Sequence, residues 1–244
     1  MQRAAAETVA PDIVTMSGVH FRWRGPRGFA LKIDTFALAP RERVLLVGPS
    51  GTGKSTFLSL LCGIVTPQAG AIEVLGTETH QLSSSARDRF RAEHFGIIFQ
   101  MFNLLPYGSI LDNVLLPLSF SSKRRERAER NGGAEAEALR LLASLGLDPA
   151  ELHGLSAASL SVGQQQRVAA ARALIGAPEI IVADEPTSSL DRDRQQAFLD
   201  LLFAEIAAAE ASLIMVSHEE ELGSRFDRVL RLDEIAVSER RAVA

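Results

Sequence analysis

The 244-residue chain has one cysteine, one tryptophan, one tyrosine and only three lysines. A single thiol, Cys62, cannot form an internal disulfide and points to a reducing compartment. No apolar run approaches the ~18 residues of a membrane-spanning helix, which argues against an integral membrane chain. No self-similarity at a 20–50-residue period appears, so a solenoid is excluded. The stretch from Met1 to Pro11 is Ala-rich and carries Glu7 where a signal peptide needs an apolar core, so a cytoplasmic location is expected. An excess of positive charge is also missing: 26 basic against 30 acidic residues argue against a protein that coats nucleic acid. What remains, 46% hydrophobic and 23% charged, is an ordinary globular composition long enough to bury a core.

The first 38 residues read as strands, Ile13–Met16 and Val19–Trp23 alternating apolar with polar, then a Gly25–Gly28 turn and Phe29–Ile33. Arg43–Val47 has the continuous apolar character of a strand buried in a parallel sheet. It runs into a glycine-rich segment and then a helical stretch, Phe57–Ile64. Ala71–Val74 and Phe95–Phe99 are further short strands. From Ser109 to about Ala177 the patterns are helical, and the charge run Lys123–Arg127 reads as a solvated helix face. Strand–helix alternation then returns with Glu179–Ala183, the helix Arg192–Ala208, Ser212–Val216 and Arg228–Leu232. The expectation is an α/β fold whose parallel core sheet is interrupted by a helical subdomain.

Gly48-Pro49-Ser50-Gly51-Thr52-Gly53-Lys54-Ser55 fits the phosphate-loop pattern G-x-x-x-x-G-K-[ST], with a strand before it and a helix after it. Glycines let backbone N–H groups turn inward around phosphate oxygens at the positive end of a helix. Lys54 would reach the β/γ-phosphates as a point charge, and the Ser55 hydroxyl would ligate Mg²⁺. In so lysine-poor a chain, a lysine in that loop is informative. The apolar run Ile180–Ala183 ends in Asp184-Glu185-Pro186, 130 residues after Lys54. Asp184 suits a carboxylate on the Mg²⁺ shell. Glu185, one residue on, is placed to orient or deprotonate an attacking water.

Leu160-Ser161-Val162-Gly163-Gln164-Gln165-Gln166-Arg167, with Ser161 23 residues before Asp184, resembles the signature motif of the ATP-binding cassette (ABC) ATPases. The likeness covers nearly the whole chain. It implies a P-loop NTPase fold with an N-terminal antiparallel β region. It further implies that residues 1–244 form one nucleotide-binding domain, with a core lobe of 1–99 and 178–244 and a helical subdomain of about 100–177. It also implies ATP and Mg²⁺, and a head-to-tail pair of copies in which Ser161, Gly163 and Gln164 of one cap the γ-phosphate held by the other. Gly48 to Thr56 would then contact nucleotide, Gln100 resembles the Q-loop glutamine at the metal or the water, and Ser188–Asp191 resembles the D-loop. His218 resembles the switch histidine at the γ-phosphate. Trp23 stands where the family usually stacks a tyrosine on adenine, and an indole has the larger face. Val162 departs from the usual glycine, reducing backbone freedom there.

Phe99–Pro106 and Asp112–Val114 resemble the cassettes of lipoprotein-release and macrolide-efflux systems, although His153–Ser159 departs from that pattern. The resemblance therefore implies an ATPase subunit on the inner face of the cell membrane that powers a separate permease. A regulatory ATPase that passes a signal through a membrane partner is the alternative. DNA-repair and translation relatives are disfavoured by the single, acidic cassette, and no nucleic-acid partner is expected. The apolar cluster Phe102, Leu104, Leu105, Pro106 and Tyr107 reads either as a loop on the helical part or as the wall of a permease-docking groove. Cys62 reads as a core thiol. His20, His80, His94 and His153 show no metal-ligand spacing.

Overall fold

A computed structural model describes residues 10–24, 29–130, 132–152 and 154–240. The Gly25–Gly28 turn, His153 and the segment before Ala10 lie outside the described residues.

Two five-stranded sheets form the framework. The first is antiparallel, from β1 (Val14–Arg22), β2 (Phe29–Leu38), β4 (Ala69–Val74), β5 (Thr77–Glu78) and β10 (Ala236–Arg240), in the order β10-β2-β1-β4-β5. The two alternating stretches expected at the N-terminus are one strand. Gly18, at φ 57°, lies where the β1–β4 register shifts, and this bulge restores phase so that Val14, Met16, Val19 and Phe21 all face inward.

The second sheet is parallel, from β3 (Arg43–Val47), β6 (Phe95–Ile98), β7 (Ile180–Asp184), β8 (Ser212–Ser217) and β9 (Arg228–Arg231), in the order β6-β7-β8-β3-β9. Both faces are covered, which explains its continuous apolar runs. Along β3, Val44 and Leu46 pack toward the antiparallel sheet while Leu45 and Val47 pack toward the helices.

The helices are α1 (Lys54–Leu61), α2 (Ser84–His94), α3 (Ile110–Leu115), α4 (Ser122–Glu129), α5 (Ala134–Ser144), α6 (Pro149–Leu152), α7 (Val162–Leu174), α8 (Arg192–Ala208) and α9 (Leu232–Ile235). Cys62, just past α1, is buried and its thiol is pushed up to about 12 by loss of solvation, as a core role requires.

The charge run is a solvated face only in part: Lys123, Arg125 and Glu126 are exposed, whereas Arg124 turns inward. Arg124 on α4 is 2% exposed, and its guanidinium donates to the carbonyls of Ile175 (2.9 Å), Ala173 (2.9 Å) and Phe95 (3.0 Å). Those of Ala173 and Ile175 belong to the end of α7, where a helix leaves acceptors unpaired. Arg127 joins it, donating to Gly176 O at 2.8 Å and to Glu179 at 2.9 Å.

The C-terminal ends of β3, β6, β7 and β8 open at one edge of the parallel sheet, the usual ligand edge of an open α/β sheet. Gly48, Gln100, Glu185 and His218 all follow those ends within two residues.

Candidate functional site

The segment between β3 and α1 wraps around the start of the helix. Gly53, its N-cap, has φ 113°, and a Cβ there would stand 2.6 Å from Cζ of Phe29, so only glycine fits. Thr52 donates to Pro49 O at 2.8 Å, closing the turn. Lys54 is 5% exposed; its ammonium donates to Gly48 O at 2.6 Å and Pro49 O at 3.2 Å and lies 3.5 Å from Glu185 Oε1.

Ser55 and Asp184 face each other across the β3 and β7 ends and share a hydrogen bond. Burial raises the Asp184 carboxyl above its ordinary range, the Ser55 bond opposes this, and the neighbouring charge of Glu185 adds to it. Hydroxyl and carboxylate oxygens are the donor set a hard divalent cation prefers.

Glu185 is the hub. Its backbone is left-handed (φ 46°) and its N–H donates to Val216 O at 3.1 Å, tying the turn after β7 to β8. One carboxylate oxygen faces Lys54. The other accepts from Gln100 Nε2 at 3.4 Å and lies 3.7 Å from His218 Nδ1. Residues 54, 100, 185 and 218, from four separate strand ends, thus converge on one carboxylate.

Trp23 is 44% exposed, yet its Nε1 donates to Thr56 Oγ1 at 3.1 Å and its ring meets Phe21 edge-on at 5.0 Å. The indole is therefore held beside the phosphate loop with a face open. At the start of α7, Ser161 accepts from Gln164 N at 3.3 Å while Gln164 Oε1 accepts from Ser161 N at 2.9 Å, a reciprocal capping box. Val162, first residue of the helix, is 51% exposed, and the space around Gly163 is open. Ser161, Gly163 and Gln164 hydrogen-bond with no member of the Lys54–Glu185 cluster.

Residues 31–188, spanning the phosphate loop, the signature and Glu185, match the family described as ABC transporter. The chain belongs to the ABC transporter family, as an ATP-binding subunit. It is 42% identical over 191 residues to the uncharacterized ABC transporter ATP-binding protein YbbA of Escherichia coli K12, covering 78% of this chain and 80% of that protein. It is 38% identical over 198 residues to the lipoprotein-releasing system ATP-binding protein LolD of Coxiella burnetii, covering 81% and 82%. The macrolide export ATP-binding/permease protein MacB of Rhodopseudomonas palustris is 38% identical over 213 residues, 86% of this chain but 31% of that longer protein. Among solved structures, the dimeric post-hydrolysis ATP-binding cassette MJ0796 bound to ADP and Pi has a TM-score of 0.77 at 29% identity, covering 94% and 100%. The expected α/β P-loop fold and ATPase activity stand with this family. No helix among the described residues is long and apolar enough to cross a membrane.

Further side chains, given no individual role in the sequence analysis, tie these segments together. Gln166 on α7 donates to Pro186 O at 2.7 Å. Arg172, further along α7, donates to the carbonyls of Phe102 and, at 2.8 Å, Asn103. Gln195 donates to Thr187 Oγ1 at 3.0 Å and to Glu219 at 3.1 Å. Amides and guanidiniums of this kind carry no periodic signal, and only the bonds they make distinguish them. In the D-loop stretch, Asp191 caps α8 by accepting from Arg194 N at 3.0 Å. His94 pairs with Glu179 at 3.0 Å, and no group of three His, Cys, Asp or Glu side chains able to hold a metal occurs among the described residues.

Proposed function

We propose that the cassette hydrolyses ATP with Mg²⁺ at the Lys54–Glu185 cluster, completed by Ser161, Gly163 and Gln164 of a second copy packed head to tail. The observation that carries this reading is the convergence of Lys54, Gln100 and His218 on the Glu185 carboxylate. Gly48, Pro49, Ser50, Gly51, Thr52, Gly53 and Thr56 line the phosphates, with Lys54 as their point charge. Trp23, held by Thr56, supplies a stacking face for the base. Ser55, Asp184 and Gln100 would hold the cation, which offsets charge on the phosphates when bound. Glu185 accepts the proton of the attacking water, and Gln100 and His218 hold that carboxylate in line.

Capping by a second copy has a chemical basis in the cassette itself. Ser161 begins a 13-residue helix, and its first N–H groups suit an anion. The dimeric ADP- and Pi-bound relative supports a paired assembly.

The membrane partner is read as a permease docking on the helical segment of about 100–177, from the inner face of the membrane. A groove of about 500 Å³ among α2, β6 and the start of α4 combines apolar Phe95, Ile97, Phe99, Leu116, Pro117 and Phe120 with charged Asp88, Arg89, Arg91, Arg124 and Arg172. The loop cluster read either as packing on the helical part or as a groove wall divides: Phe102 is buried in the helical core, Leu104 packs on it, and Tyr107 is exposed. Exposed Phe120 is the better probe. Phe120→Asp should leave folding, ATP binding and basal turnover unchanged while abolishing co-purification of the membrane partner. Retained association would overturn the docking assignment.

A further inference from the structure

α7 touches the hydrolytic cluster at two points besides carrying the signature at its start. On its second turn, the buried Gln166 donates to the carbonyl of Pro186, the residue directly after Glu185. Two turns later Arg172, 7% exposed, donates to the carbonyls of Phe102 and Asn103, two and three residues after Gln100. Those two residues are both left-handed, at φ 57° and 49°, a conformation disfavoured for a bulky residue such as phenylalanine. They persist because their turn is held from outside. The turn's own bonds, Phe102 N to Phe99 O at 2.9 Å and Asn103 N to Met101 O at 2.6 Å, are local; beside the burial of the Phe102 ring in the helical core, Arg172 is the hydrogen-bonded tie from this turn to α7.

Arg172 is costly as packing. It has no acidic partner among the described residues, and burial lowers its pKa. An apolar side chain of similar length would fill the same space more cheaply. The backbones are also in contact: a Cβ on Gly96 of β6 would stand 2.2 Å from Ala173 O of α7. The strand that delivers Gln100 therefore cannot slide independently of this helix. The link is stiff, since the helix spans about 20 Å from Ser161 to its far end.

We propose that Arg172 and Gln166 are positioning residues that make α7 a tie-rod, passing displacement of the signature to Gln100 and Glu185 of the same copy. The inference rests on the reading of Gln100 and Glu185 given above. Because the signature serves the partner's nucleotide in that reading, engagement there sets the geometry of this copy's own water-activating carboxylate.

The test is a double-mutant cycle on the full chain. Arg172→Met should retain ATP affinity within about twofold and lose turnover by at least tenfold, with faster amide exchange over residues 99–104. Arg172→Lys, which keeps one donor for two carbonyls, should recover part of the loss and also serves in the cycle if the methionine variant does not fold. In a Gln100→Ala background the Arg172 substitution should cost less than about twofold, because the residue it acts through is gone. Independent, multiplying losses would overturn the tie, as would native turnover in Arg172→Met. Native turnover in Gln100→Ala would instead remove the underlying reading of Gln100, and the tie with it.

Discussion

Glu185 Oε1 stands 3.5 Å from Lys54 Nζ, while two of the ammonium's three donors are already taken by the carbonyls of Gly48 and Pro49. The pair is thus a loose electrostatic contact laid over a hydrogen-bonded lysine. Neutralising Glu185 orphans nothing, since the lysine keeps both carbonyls.

It follows that Glu185→Gln should fold normally and bind ATP with native affinity. The amide keeps the shape but cannot accept a proton, so turnover should fall about 10²–10⁴-fold. Size-exclusion chromatography with ATP should then show an accumulated dimer. Native-like hydrolysis would sink the assignment. Lys54→Ala should instead weaken ATP binding itself, at least tenfold by equilibrium titration, because it removes the charge on the phosphates.

Asp184 carries a stability penalty in return for its function. Its folded pKa is raised, chiefly by burial, so the ionised form is disfavoured in the folded chain. A raised carboxylate loses stability as pH climbs from the unfolded value, about 3.9, through the higher folded one, and the penalty is complete at neutral pH. Asp184→Asn, measured without nucleotide at pH 7, should therefore raise Tm. The gain should vanish below about pH 4, where both variants are neutral. Turnover should be lost throughout. A lower Tm at pH 7 would show that the Ser55 bond outweighs desolvation.

Val162 sits in ordinary helical geometry at the first position of α7, its side chain half out in solvent. Nothing in that backbone demands glycine. Val162→Gly should accordingly change turnover by less than about tenfold, or ~1.4 kcal/mol of barrier. The comparison is made with the chain alone and with its membrane partner. A larger gain in either assay would identify the valine as a brake on the signature.

Within the charge run, neighbouring residues should differ sharply. Arg124→Ala deletes donors to three buried carbonyls, each costing about 1–3 kcal/mol when left unpaired, and should destabilise by at least 3 kcal/mol in urea unfolding. Exposed Glu126→Ala on the same helix should stay within about 0.5 kcal/mol. Equal small effects would restore the solvated-face reading.

The sequence by itself determined the features whose physics is local. The phosphate loop between an apolar strand and a helix, the acidic end of Ile180–Asp184, the capping serine of α7 and the helix Arg192–Ala208 are legible because turn chemistry, caps and periodicity act over a few residues. The tertiary structure decided what depends on partners far along the chain. One charged residue of a polar run is driven inside because carbonyls at the end of a helix some 50 residues away need donors. Two alternating segments become one strand because a bulge at Gly18 lets both halves face a single core. Arg172 looks like any other arginine until its guanidinium meets two left-handed carbonyls beside Gln100. Composition and spacing carry no record of such bonds, since a hydrogen bond between distant residues is set by how the layers pack and not by any pattern near either partner.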